Sequence, residues 1–298
     1  MTLPLASEVL RSAFISACRA ELDALKPGNV HVHGAGHGME ASHFEDAALA
    51  AAPWIADPSL KVGLRVRRAV EASLAAAGCN TNLGIVLLCA PLAKAAQSPP
   101  PAPSPLAGDV ATLLRRSLAQ VLLELDREDA ADVYEAILRA NPAGLGTAER
   151  EDVSAPPAAT LREAMALAAG RDRIARAYVT DFEDVFAFGL PELERARRHA
   201  VSGHDAVTTL HMSYLAAFPD SHIARKHGAE TACSVHAAAR QRERLWRPSA
   251  RPDTHGELLA FDRELKARGL NPGTTADFVV ATLFAETIIA RSGPNGGA

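Results

Sequence analysis

Lys26-Pro27-Gly28-Asn29-Val30-His31 sets a cation and an amide on either side of a proline–glycine turn. Proline cannot continue a helix interior, and glycine reaches backbone conformations that other residues avoid. The chain must therefore turn here and hold Lys26 and Asn29 at a fixed angle. Gly34, Gly36 and Gly38 follow, interleaved with His31, His33 and His37. Where side chains are absent, peptide N–H groups come close to a ligand, and with a lysine and an amide they suit a polyanion such as a phosphate chain. The spacing is not that of a G-x-x-x-x-G-K-[ST] loop, and no strand pattern precedes it. The competing reading is a plain helix–helix connection with an exposed lysine.

Other polar turns repeat the theme. Asn80-Thr81-Asn82 opens a helix rich in Ile, Val and Leu. One of the three caps it, and the free N–H groups of that helix mouth attract anions. Asn141-Pro142-Ala143-Gly144-Leu145-Gly146 is a second glycine loop, followed by Glu149 and Asp152. Asp220 follows Pro219 and caps the next helix, whose second turn carries Arg225 and Lys226 within reach of phosphates. Asn271-Pro272-Gly273-Thr274-Thr275-Ala276-Asp277 opens the last apolar helix. Glu21 and Asp23 stand on the last turn of the first helix, where acidic groups oppose the macrodipole. That placement suits a magnesium contact or a partner for Lys26. His31, His33, His37 and His43 also crowd one span, but i, i+2, i+6 in a glycine loop is not a helical ligand pattern. Solvated or phosphate-contacting histidines are favoured over zinc.

The elements that must position these turns are helical. Apolar residues recur at helical spacing from Ala6 to Leu25 and in successive stretches to Ala290, without alternating β-branched runs. Ser42 with Glu45, and Thr160 with Glu163, have capping-box spacing. Asp172 to Phe186 reads as continuous helix. Arg65, Arg67 and Arg68 read as a solvated face. Alanine is abundant and aromatics are 5% of the 298 residues, which favours close-packed helices over a sandwich or barrel. The expected fold is all-α, one multi-helix bundle domain over residues 1–291, with an exposed Pro-rich linker at 97–107 and a disordered tail at 292–298.

The net charge of −4 gives no bulk attraction to nucleic acid or anionic membrane. No apolar run is read as long enough to span a bilayer. Cys18, Cys79, Cys89 and Cys233 lack metal or disulfide spacing and read as small core residues in a reducing compartment. With no signal-peptide pattern at the N-terminus, the expected location is cytoplasmic.

Taken together, the turns resemble the triphosphoribosyl-dephospho-CoA synthase family, which makes the prosthetic-group precursor of citrate lyase and malonate decarboxylase. The matching pieces are Lys26-Pro27-Gly28-Asn29-Val30, Asn80-Thr81-Asn82-Leu83-Gly84, Gly144-Leu145-Gly146 with Asp152, Pro219-Asp220-Ser221 with Arg225, and Leu270 through Asp277. They run through nearly the whole chain in the family's order. The likeness is strongest to a divergent branch of archaea and methylotrophic bacteria, often met beside tetrahydromethanopterin-dependent one-carbon metabolism. The citrate-lyase branch looks like G-G-x-N-T-H-K-G at the second motif; here Asn82-Leu83 replaces the His-Lys pair.

The resemblance implies glycosyl transfer with ATP as ribosyl donor. Adenine leaves C1′, and a hydroxyl of dephospho-CoA, or of a related acceptor, attacks that carbon. An oxocarbenium-like transition state calls for nearby negative charge, and the hydroxyl for a base. On this reading Lys26 and Arg225 hold phosphate, with Gly28, Asn29, His31, Asn271, Gly273 and Thr274 in the binding turns and Asn80, Thr81 and Asn82 at a helix mouth. Asp152, Asp220 and Asp277 are the candidates for base catalysis or for Mg2+ accompanying ATP, their roles not separable. The partners are then small molecules, and a homodimer is left open. A magnesium-dependent nucleotide hydrolase or phosphotransferase, and a non-catalytic helical nucleotide-binding module, are the alternatives. An enzyme requires the polar turns to surround one cleft; a binding module lets them scatter.

Overall fold

The computed structural model describes residues 3–100, 109–142, 146–147 and 150–293. Most of the Pro-rich stretch, Gly144-Leu145, Glu149 and the end of the tail lie outside the described residues. The chain is all-α. Its helices are α1 (Ser7–Asp23), α2 (Ala41–Ile55), α3 (Val62–Ala77), α4 (Leu83–Gln97), α5 (Val110–Leu123), α6 (Arg127–Ala140), α7 (Leu161–Ala168), α8 (Arg173–Val179), α9 (Leu190–His199), α10 (Gly203–Ala217), α11 (Ser221–His227), α12 (Ala229–Gln241), α13 (His255–Ala267) and α14 (Gly273–Arg291). A π-helix, Asp184–Gly189, precedes α9. Among the described residues there is no strand, only the isolated bridges His31–Gly34 and Gly36–Met39.

Helices α4 and α14 run through the core. Val86, Leu88, Cys89, Ala90, Leu92 and Ala93 are all withdrawn from water, as are Val279, Val280, Ala281, Phe284 and Ala285. A helix that is apolar all round must be enclosed on every side. α14 is enclosed by α1, α4, α10 and the π-helix, and α4 by α3, α5 and α14. By length and composition α14 is long and apolar enough to cross a membrane, which corrects the sequence expectation; 67% of its apolar window is buried in the fold. A second cluster, with Trp246, Leu258, Phe261 and Leu265, lies beneath Leu25 and the Lys26 turn. The clusters meet at α10, which sends Leu210 and Tyr214 into one and Met212 and Leu215 into the other.

Three local expectations fail for tertiary reasons. α2 is capped by Glu40 and His43 instead of Ser42 and Glu45, because Arg19 of α1 takes the Glu45 carboxylate at 2.7 Å. Arg65 is fully buried, donating to the carbonyls of Ile55 (2.9 Å) and Leu60 (3.2 Å), so it ties α3 to the end of α2. The helix expected from Asp172 to Phe186 breaks after Val179, where Asp181 and Phe182 take positive φ. Arg115 and Arg162 donate to the carbonyls of Asp181 and Tyr178 there. The Thr160–Glu163 capping box forms as expected.

Candidate active site

The Lys26 turn is clamped from behind. Gly28 has φ +85°, its N–H donates to Asp262 Oδ1 of α13 at 2.9 Å, and a β-carbon there would lie 2.8 Å from Pro272. Glycine alone meets both demands. Lys26 is buried, not exposed as expected. Its ammonium donates to Glu21 and, at 3.0 Å, to Asn29 Oδ1. Burial pushes Glu21 up and Lys26 down, toward the neutral pair, against their mutual attraction. Asn29 Nδ2 donates to Asn271 Oδ1 at 2.8 Å, which joins the first and last polar turns. His31 is buried against Asp262 and Lys266, and Lys266 also donates to Gly34 O at 2.9 Å. His37 meets Gly28 O at 2.8 Å, and His43 accepts from Glu40 N. The histidines are thus spread over separate contacts.

The polar turns open onto a cleft of about 1400 Å³. Asn29, Asn80, Thr81, Asp152, Arg225, Asn271, Gly273, Thr274 and Asp277 line it. Lys26, Gly28, His31, Asn82 and Asp220 stand behind its wall. Asp220 caps α11 through Ile223 N (3.0 Å), and its other oxygen takes Thr275 N and Oγ1, both at 2.8 Å. It fastens the starts of α11 and α14 together. Asn82 donates to Ser73 Oγ at 2.9 Å and packs α4 on α3. Asp152 accepts from Ser154 N and Oγ. The three aspartates therefore do not form one cage, and no group of three His, Cys, Asp or Glu able to hold a metal occurs among the described residues.

Asp277 differs from the other two. It accepts no hydrogen bond from any described residue, and a β-carbon on Gly84 would overlap its carboxylate, so the first turn of α4 is shaped around it. Burial, then the charges of Asp220, Glu21 and Asp172, holds its pKa well above the usual aspartate value. Asp172 caps α8 and receives Arg225 at 3.3 Å. His222 lines the cleft opposite Gly273 and is held neutral, with its pKa lowered to about 4 by burial and then by Arg225 and Lys226. The cleft thus presents one unpartnered carboxyl, further acids behind it, and cations from α8 and α11.

The pattern of a family covers the same span. A family model described as CitG, ATP:dephospho-CoA triphosphoribosyl transferase, matches residues 7–295. The chain belongs to this family. The family's substrates are ATP and dephospho-CoA, and its members are transferases. A crystal structure of an Archaeoglobus fulgidus protein, provisionally described as a triphosphoribosyl-dephospho-CoA synthase, shares the fold with a TM-score of 0.58. It is 23% identical over 80% of this chain and 95% of its own. No curated protein matches.

Within the CitG family's frame, some lining groups escaped the sequence reading. Arg173 and His222 lie one or two residues from the helix caps Asp172 and Asp220, yet nothing local marked them as facing a ligand. Asp262, which holds Gly28 in place, looked like an ordinary helix position. Glu21 was legible through its misfit with the helix dipole.

Proposed function

We propose that this chain transfers the triphosphoribosyl group of ATP to a hydroxyl of 3′-dephospho-CoA or a related acceptor, giving 2′-(5″-triphosphoribosyl)-3′-dephospho-CoA and adenine when dephospho-CoA accepts. Family membership supplies the reaction class. The observation that carries the site assignment is Asp277, an unpartnered carboxyl at the floor of a cleft large enough for two nucleotides. In the reaction the C1′–N9 bond of ATP breaks and a C1′–O bond forms; the hydroxyl proton is given up and adenine gains one. Asp277, once ionised, is a stronger base than a solvated aspartate and receives the hydroxyl proton. Its charge, with that of Asp172 nearby, favours the oxocarbenium-like transition state. Asn29 and Asn271, fixed by their mutual hydrogen bond, orient the ligand, and Arg225 faces its phosphates. Magnesium enters as part of the MgATP substrate, and Asp277 is the predicted aspartate with oxygens open to it.

The proposed acceptor range is wider than dephospho-CoA. Leu83 lines the cleft where the citrate-lyase branch looks to carry lysine, so a cation is missing from that wall. An acceptor linked to tetrahydromethanopterin or other one-carbon cofactor synthesis is included on this ground. The test is incubation with MgATP and either dephospho-CoA or such precursors, followed by chromatography. Adenine released in step with a ribosylated acceptor is expected. ADP or inorganic phosphate in place of adenine would overturn the transferase reading in favour of a phosphotransferase or hydrolase.

A further inference from the structure

Arg173, the first residue of α8, faces the cleft and is held from three directions. Its NH2 group donates to Asp184 Oδ2 at 2.6 Å. Its guanidinium carbon stands 3.6 Å from the centroid of the Phe218 ring. Its backbone N–H donates to Ser221 Oγ, in the turn that Asp220 caps, at 2.9 Å. A guanidinium carries five N–H donors in a fixed fork. Asp184 takes one side of that fork, and Nε and the other terminal nitrogen have no acceptor among the described residues. A stacked, ion-paired arginine has already lost the rotamer freedom that binding would otherwise remove.

The mount itself is unusual. Asp184 opens the π-helix, a form that occurs mostly as single turns at functional sites. Two successive residues at positive φ, Asp181 and Phe182, lead into it. The Tyr214 hydroxyl donates to the carbonyl of Asp184 at 2.9 Å and meets Thr282 Oγ1 at 2.8 Å. A β-carbon on Gly189 would overlap both hydroxyls. The irregular turn carries the Asp184 carboxylate that Arg173 meets.

We infer that Arg173 is the residue that reads the terminal phosphates of the nucleoside polyphosphate donor, with Asp184 and its π-helix as the positioning device. This rests on the transferase reading for the identity of the donor, but nucleotide binding without an acceptor tests it separately. The measurement is calorimetric affinity for the magnesium complexes of AMP, ADP and ATP.

The parent is expected to bind more tightly with each added phosphate. Arg173→Gln alone leaves Asp184 buried and unpaired, so the decisive variant combines Arg173→Gln with Asp184→Asn. It should bind AMP as the parent does while its preference for ATP over AMP falls about ten-fold to a hundred-fold, the worth of a charge-assisted contact. Asp184→Asn alone should lower the preference less, and Arg173→Lys should restore part of it. An unchanged ATP-to-AMP ratio in the double variant, or equal loss for both nucleotides, would overturn the inference. If the ratio falls as expected while no adenine is released with any acceptor, Arg173 is retained and the transferase reading is lost.

Discussion

Lys26 is where reading a lysine from its neighbours and seeing it in the fold part company. Proline and glycine around it predict an exposed turn, yet the ammonium is buried against Glu21 and Asn29. The loss of one member of a buried pair leaves the other charged and dry, at a cost of about 3–5 kcal/mol. Lys26→Ala should therefore lower the free energy of unfolding by that order in a urea titration, where an exposed lysine would change it little. Adding Glu21→Gln to Lys26→Met should recover most of the loss, because both charges then go together. The dipole misfit of Glu21 made the pairing legible; its depth was not, because the burial comes from α10 and α13, more than 180 residues away in sequence. Asp277 makes the complementary case for activity. Asp277→Asn should reduce kcat by about a hundred-fold to ten-thousand-fold, the range of general base catalysis. The parent's rate should rise with pH through a limb displaced upward from the ordinary aspartate range, since the base works only when ionised. A limb that persists in the variant would assign it to another group.

At the scale of elements, the turns were readable and the joins between them were not. Gly/Pro/Asn clusters marked several helix starts, among them those of α4, α11 and α14, because capping and φ preferences act within a few residues. Glu45 satisfied a capping pattern and was nevertheless drawn to Arg19, since an ion pair across helices outcompeted a local bond. The π-helix had no sequence signature; what makes it is the meeting of Gly189 with Tyr214 and Thr282 from two later helices. That dependence can be tested. Gly189→Ala forces a methyl into the Tyr214–Thr282 hydrogen bond, an overpacking that costs about 1–3 kcal/mol. Thermal unfolding should register the loss, while Gly203→Ala, which meets nothing within 4 Å, should leave stability within experimental scatter. Equal effects at the two glycines would mean that the π-helix is not held by this contact.

For the whole molecule, the convergence of distant turns on one cleft followed from a bundle's habit of gathering helix ends at a pole. What stayed hidden was the division of labour among carboxylates that looked alike. Asp220 is spent as a clasp between α11 and α14, while Asp277 stays unpartnered, and only the packing of Thr275 and Gly84 tells them apart. An unpartnered, dry carboxylate opposes folding, so site and stability should be coupled through Asp277. Its native pKa is raised, so between the ordinary value near 3.8 and that raised value the folded chain holds a proton that the unfolded chain has released. Unfolding in this window releases a proton. The Asp277 contribution therefore favours folding more as pH falls through the window, and its penalty is complete once pH exceeds the native pKa. Asn at this position carries no such penalty. Asp277→Asn should then be more stable than the parent at neutral pH, by about 1–3 kcal/mol, the cost of a buried group without a partner. Glu21, Asp220 and Asp262 titrate in both proteins, so the difference between the two unfolding curves isolates Asp277. That difference should shrink steadily as pH falls and reach its floor below 3.8. A variant that is inactive but no more stable at neutral pH, or a difference flat in pH, would show that the carboxylate is solvated and that the cleft does not hold it under strain.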